Sequence, residues 1–293
     1  MARAPDSGTV CAVVVAYNRV ELLRECLAAL SAQTRKPDAV LVVDNASSDG
    51  TVAMVRGEFP AVEVLELETN QGGAGGFHEG MRHAVAAGHE WLWLMDDDTI
   101  AEPEALERLL GVLSDADPAP LLLASRVVWT DGTLHPMNAP RVAARRAEGL
   151  IDAAAAGLVL LRSASFVSLL VHRTAVERYG LPLKHYFIWN DDVEFTARVL
   201  RTETGYLVPG SVVCHKTATR HTPFETTGDR FYYAVRNQLL MVRGSAWEGT
   251  ERLKMLWNIA YQARRYLGHN RWSGASIAVV LRGLRDGLRG TAR

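Results

Sequence analysis

The sequence predicts an α/β protein, with a mostly parallel sheet flanked by helices and a helical C-terminal extension. Three observations lead there. Apolar, β-branched runs alternate with helix-period segments through the first 130 residues, the pattern of strands covered on both faces. The connections between them are short, as in βαβ units. From Asp229 to the end the periodicity is helical, with Gly244 and Gly268 to Gly274 as its only breaks.

Taken in order, Val10–Tyr17 (VCAVVVAY) is a strand buried on both faces. Asn18 then caps a helix, with Glu21 in capping-box register and Leu22, Leu23, Cys26, Leu27 and Leu30 on one apolar face. Ala39–Asp44 is a second strand, ended by the polar turn NASSDG. A helix near Thr51–Glu58, a strand near Val62–Leu67, a helix near Gly76–Ala87 and a strand at Trp91–Met95 follow. Pro103 opens the next helix at a favoured first-turn position. Arg141–Ala156 reads as a surface loop or short helix, Phe166–His172 and Gly205–His215 as strands, and Asp191–Thr202 as a helix preceded by HYFIWN. Ligands of such sheets sit at the carboxyl ends of the strands. There the unusual residues collect: Tyr17-Asn18-Arg19, Asp44-Asn45, Asn70 to Gly76 and Asp96-Asp97-Asp98.

Composition narrows the class. A chain of 293 residues with 48% hydrophobic and 22% charged residues is globular, not disordered or collagen-like. Thirty-two basic against thirty-three acidic residues leave a net charge of -1, so no global attraction to nucleic acid exists. Cys11, Cys26 and Cys214 lie far apart with no CxxC spacing, which fits a reducing compartment. Residues 1–9 carry Asp6 and do not read as a signal peptide. No uncharged apolar run reaches the roughly 20 residues that span a bilayer. A cytoplasmic protein is expected.

Four segments carry chemistry. Met95-Asp96-Asp97-Asp98-Thr99 follows the strand WLWL. Adjacent carboxylates repel unless a cation or solvent neutralises them, and alternate residues of an extended segment point the same way. Asp96 and Asp98 can therefore face one divalent ion; a solvated acidic turn is the plain alternative. Asn70-Gln71-Gly72-Gly73-Ala74-Gly75-Gly76-Phe77 reads as a glycine loop before a helix, open to a phosphate or sugar, or as a flexible turn. It is neither a GxGxxG nor a P-loop, which disfavours dinucleotide and Walker-type sites. Trp189-Asn190-Asp191-Asp192-Val193-Glu194 opens a helix with three acids, where one suffices for the dipole; the others are candidates for a general base. His215 ends a strand, with His221 six residues on, and becomes a ligand candidate only if the fold brings it to the acids.

Together, VVVAYNR (13–19), VVDNASSDGT (42–51), NQGGAGGF (70–77), WLMDDDT (93–99), FIWNDDVEF (187–195), CHK (214–216) and YYAVRNQ (232–238) make a specific set. On these segments, spanning roughly residues 10–240, the chain resembles the family 2 glycosyltransferases of GT-A fold, and within them the actinobacterial galactofuranosyltransferases, with the rhamnosyltransferases as relatives. The resemblance implies a GT-A catalytic domain over 1–240 and a basic, aromatic-rich helical appendage over 241–293. It implies that Asp44 with Tyr17 and Arg19 holds the pyrimidine base. Asn70, Gly72 and Gly73 would contact the ribose and diphosphate, and Asp97 would sit on the donor side. Asp96, Asp98 and His215 would hold Mn²⁺ or Mg²⁺, Asp192 would be the base, and Asp191, Glu194 and Trp189 would bind the acceptor. Asn190 stands where the family's motif has Trp, with Trp189 one place earlier.

The implied reaction is an inverting, metal-dependent transfer from a nucleotide-sugar, UDP-galactofuranose, to a hydroxyl of a glycan or lipid-linked saccharide acceptor, as in cell-wall assembly. The alternatives are a dTDP-L-rhamnose-dependent rhamnosyltransferase, a nucleotidyltransferase and a non-catalytic sugar-binding module. A nucleotidyltransferase would carry a glycine-rich basic loop after the first strand, and YNR offers none. From Arg243 on, ten basic residues face three acids, with Trp247, Trp257, Tyr261, Tyr266 and Trp272 interleaved. That composition suits the inner face of the cell membrane or a helical appendage packed on the core; no RNA-binding motif accompanies it.

Overall fold

The computed structural model describes residues 8–114, 119–144, 146–218 and 229–290. His221 and Arg293 lie outside the described residues. The first half alternates β1 (Val10–Ala16), α1 (Val20–Ser31), β2 (Ala39–Asp44), α2 (Thr51–Glu58), β3 (Glu63–Glu66), α3 (Gly72–Ala86), β4 (Trp91–Asp96), β5 (Thr99–Ala101) and α4 (Ala105–Gly111). Then come β6 (Leu122–Val128), β7 (Arg141–Val142), α5 (Ala147–Ala155), β8 (Val159–Ser163), β9 (Leu169–His172), α6 (Arg173–Tyr179), α7 (Asp191–Val199) and β10 (Gly205–His215). Three helices close the chain: α8 (Arg230–Arg243), α9 (Gly249–His269) and α10 (Gly274–Arg289).

The strands form one sheet in the order β3-β2-β1-β4-β9-β6-β10-β8-β7, with β5 paired to β10. The first four are parallel, and β6 runs parallel to β10. β9, β8, β7 and β5 join antiparallel, so the second half is mixed. Alternation along β1 explains its continuous apolar run. Val10, Ala12, Val14 and Ala16 face one core with α1 and α4, while Cys11, Val13 and Val15 face another with α3 and α7.

The parallel register places functional side chains together. Ala16 pairs with Asp44 and Val15 with Asp96, so three strand ends share one edge. On the far side, His215 pairs with Thr99 through the antiparallel β5–β10 ladder. β10 reaches that edge through a bulge between Val208 and Val212.

Two local expectations are corrected. Asn18 does not cap α1: its φ is 51°, and its Oδ1 accepts the Ser48 N–H (2.8 Å). Asp49 Oδ2 instead accepts the Val20 N–H from across the turn (2.9 Å), and Glu21 pairs with Arg24. The glycine run is not a loop either, because α3 begins at Gly72. Helical glycine is unfavourable by propensity, but packing overrides it here. A Cβ on Gly76 would lie 2.5 Å from Val15 Cγ1, and one on Gly80 2.5 Å from Val13 Cγ1. The glycines let α3 lie directly on β1.

The C-terminal helices form their own cluster, with Phe231 stacked on Tyr266 (4.0 Å) and Val235, Ile259, Val279 and Val280 buried around them. Trp247 is buried beneath the Arg162 guanidinium (4.4 Å), which also pairs with Glu251 (2.9 Å). Trp257 (70% exposed), Trp272 (56%) and Leu253 (68%) point outward. The tail's aromatics thus divide between the core and the surface.

Candidate active site

Asp96, Asp98 and His215 converge at the shared edge, with one ligand atom from each lying within 4.8 Å of the others. His215 Nε2 is 3.0 Å from Asp98 Oδ1, and its Nδ1 is 2.8 Å from Asn138 Oδ1. An amide oxygen only accepts, so Nδ1 carries a proton, while Nε2 donates to Asp98 when the ring is protonated and offers a lone pair when it is neutral. Asp98 Oδ1 is buried and has no other donor. Two carboxylates and one imidazole nitrogen facing each other make a donor set that fits a divalent cation.

The electrostatics agree. Burial, reinforced by Asp98, pushes Asp96 up to about 6. Burial pushes Asp97 up to about 7 against the pull of Arg19. Burial would also raise Asp98, but the hydrogen bond and charge of His215, with Arg19, outweigh it and hold it below the usual carboxylate range. Burial would lower His215; the hydrogen bond and charge of Asp98 override that and raise it. Arg19 bridges Asp97 (3.2 Å) and Asp98 (2.6 Å), and the Tyr17 N–H donates to Asp97 Oδ2 (3.1 Å). The triple-Asp segment therefore ties the end of β1 to the end of β4.

Beside it, Asp44 is buried, with Oδ2 accepting the Ser47 N–H (3.1 Å) and Oδ1 lacking a donor. It lines a cavity of about 400 Å³ with Ser47, Ser48, Thr51 and Glu66. Asn70 Oδ1 accepts the Gly72 N–H (2.8 Å). Asn45, which the sequence places with Asp44 at the strand end without a role of its own, donates to Gly72 O (2.9 Å) and accepts the Gln71 N–H (2.8 Å). Gly73 has open space where a Cβ would stand, so the start of α3 faces outward there.

Asp191 and Asp192 open α7, and the charge of Asp96 acts on both. Burial raises Asp191 well above its ordinary value, with Asp192 adding to it. Burial pushes Asp192 up to about 6, against the Val193 N–H on its Oδ1 (2.7 Å). Glu194 pairs with Arg198 (2.9 Å) and is buried, which makes it a strut for α7. Trp189 packs partly against the α8–α10 cluster, so its ring is half-buried. Asn138 and the buried His135, whose ring lies 5.0 Å from that of His215, were not singled out by the sequence. Both come from an irregular stretch with no local period.

A β-sheet edge bearing a carboxylate–imidazole cluster, a buried carboxylate with one unsatisfied oxygen and a second acidic pair has the donor set that suits a divalent cation. Residues 11–163, just over half of the chain, match the glycosyl transferase family 2 model, and the chain belongs to that family. It is 36% identical over 200 residues to galactofuranosyltransferase GlfT1 of Mycobacterium tuberculosis (strain CDC 1551 / Oshkosh). That match covers 66% of this chain and 65% of the relative's own length, so the chain matches less than two thirds of it. The fold is similar to that of S. aureus TarS 1-349 in complex with UDP, with a TM-score of 0.59, 16% identity, and 91% of this chain and 74% of that one covered. GalNAc-T7 with UDP, GalNAc and Mn²⁺ is similar at a TM-score of 0.59, with 12% identity and 86% and 54% coverage. The GT-A arrangement expected from the sequence is thus the fold observed.

Proposed function

We propose that this chain is an inverting, metal-dependent glycosyltransferase that moves galactofuranose from UDP to a hydroxyl of a glycan or lipid-linked saccharide. The observation that carries the reading is the convergence of Asp96, Asp98 and His215 at a sheet edge within electrostatic reach of Asp191 and Asp192. The GlfT1 relative supports galactofuranose as the sugar, and the UDP complex of TarS supports the nucleotide.

In this reading Asp44, Tyr17 and Arg19 hold the base, and Asn70 with Gly72 and Gly73 approaches the ribose and diphosphate. Asp96, Asp98 and His215 hold Mn²⁺ or Mg²⁺, with Asp97 anchored by Arg19 beside them. A bound cation would stabilise the charge of the departing diphosphate. Asp192 takes the proton of the acceptor hydroxyl as that oxygen attacks the anomeric carbon, and the C1–O bond to the diphosphate breaks on the opposite face. One displacement inverts the configuration. Asp192, lifted towards neutrality by burial, has the basicity that this role needs. Asp191, Glu194 and Trp189 would shape the acceptor side. Residues 1–240 would make the catalytic domain and 241–293 an appendage whose outward Leu253, Trp257 and Trp272, beside Lys254 and Arg271, rest on the inner membrane face. No helix among the described residues is long and apolar enough to cross a membrane.

The test is thermal stabilisation by UDP and dTDP, each with and without Mn²⁺, since a ligand bound only to the folded state raises stability by mass action. A metal-dependent shift with UDP alone is expected. A preference for dTDP would move the reading to rhamnosyl transfer, and no shift with either would overturn the donor site.

A further inference from the structure

The segment YYAVRNQ has no role in the reaction described above, yet two of its residues are among the most buried polar groups of the protein. Arg236 is 2% exposed and Asn237 fully buried. Both are spent on one stretch of backbone. Asn237 Nδ2 lies 3.0 Å from Tyr186 O, 2.8 Å from Ile188 O and 2.8 Å from Trp189 O. The Arg236 guanidinium donates to His185 O (2.6 Å), Tyr186 O (2.9 Å) and Asn237 Oδ1 (2.9 Å).

That stretch is strained. Phe187 and Trp189 have φ of 64° and 65°, and Asn190, a residue that tolerates the left-handed region, has 67°. Bulky L residues avoid this region, and such conformations persist only where the surroundings over-determine them. The opposite side is gripped as well: the Ala74 N–H donates to Phe187 O (3.1 Å), and a Cβ on Gly72 would sit 2.0 Å from the same oxygen. The arch ends directly at Asp191 and Asp192.

We propose that Asn237, backed by Arg236, is a positioning residue that holds the Phe187–Asn190 arch in its strained shape and so aims the Asp192 carboxylate at the acceptor. The inference rests on Asp192 acting as the base. The clamp comes from α8, outside the residues matched by the family model, so that helix takes part in building the active centre.

The test uses the full chain, with UDP and Mn²⁺ for affinity and UDP-galactofuranose with a saccharide acceptor for turnover. Asn237→Ala removes the two amide protons shared among the Tyr186, Ile188 and Trp189 carbonyls and is expected to lower kcat on the order of 10²-fold, as a displaced catalytic group does, while UDP–Mn²⁺ affinity by calorimetry stays within about threefold of wild type. Adding Asn190→Gly to that variant should restore part of kcat, because glycine takes positive φ freely. If Asn237→Ala does not fold, Asn190→Val keeps the clamp but opposes the arch conformation; it should lose kcat with UDP affinity retained. Equal loss of kcat and UDP affinity in these variants, or an unchanged kcat, would overturn the proposal. Asp192→Asn serves as the control. Turnover surviving there would sink the base reading, whereas loss there with full kcat in Asn237→Ala would sink the clamp alone.

Discussion

Asp192→Asn should make the protein more stable and inactive at once. In the folded chain burial pushes the carboxyl up to about 6 from 3.8, so the fold binds its proton more tightly than the unfolded chain does. Above pH 6 the folded protein must hold a buried charge that the unfolded chain solvates freely. A shift of about two units corresponds to roughly 3 kcal/mol, reduced to about 2 because Asp192 is only partly buried. Asparagine keeps the Oδ1 acceptor for the Val193 N–H and removes the charge. It also relieves Asp191, which the Asp192 charge holds up. In metal-free buffer at pH 7.5 the variant is expected to unfold roughly 3 °C above wild type. The sign follows from linkage: as pH falls through 6 towards 4, the wild-type carboxyl protonates, its penalty vanishes and the two curves should converge. Thermal unfolding at pH 7.5, 6 and 4.5, with turnover measured in parallel, checks both halves. A variant destabilised by the same amount at every pH, or one that still turns over, would refute the assignment of Asp192 as a poised base.

Other outcomes follow from the same geometry. With Asp192 titrating near 6, kcat/KM should fall as pH drops below that value and level off above it, a limb that a pH–rate profile reads directly. Gly76→Val should destabilise by about 1–3 kcal/mol through overpacking, since a Cβ there meets Val15 Cγ1 at 2.5 Å; denaturant unfolding measures it. Asn138→Leu leaves the His215 Nδ1 proton without its acceptor and should weaken Mn²⁺ binding by about 10- to 100-fold, readable by calorimetry in the absence of donor. Trp257→Ala with Leu253→Ala should abolish sedimentation with vesicles containing anionic lipid while leaving the unfolding temperature unchanged, because both side chains are more than two-thirds exposed.

The elements with a strong local period were legible in the sequence. β1, β2, β4 and β10, and the three C-terminal helices with their breaks at Gly244 and Gly268 to Gly274, follow from apolar runs and spacings that lie within single elements. The acids at the ends of β4 and the start of α7 were visible because clustered carboxylates demand a reason wherever they occur. The structure then brought His215 to Asp98 through the antiparallel β5–β10 ladder, a pairing that no local pattern in Gly205–His215 announces.

What only tertiary structure decided has one physical cause: the deciding partner lies far away in the chain. The glycines of α3 looked like a loop until β1 was placed beneath them, because their use is to let a helix touch Val13 and Val15. Asn18 looked like a cap until Asp49 arrived to cap α1 in its place. Asn45, Asn138 and Asn237 have no role that the sequence alone assigns. Each becomes necessary only when folding buries it against backbone or ring atoms that would otherwise lack a hydrogen bond. The sequence by itself determined the elements with a strong local period and the places where carboxylates cluster. The register of distant strands and the burial of lone polar groups decided how those carboxylates are charged, aimed and held.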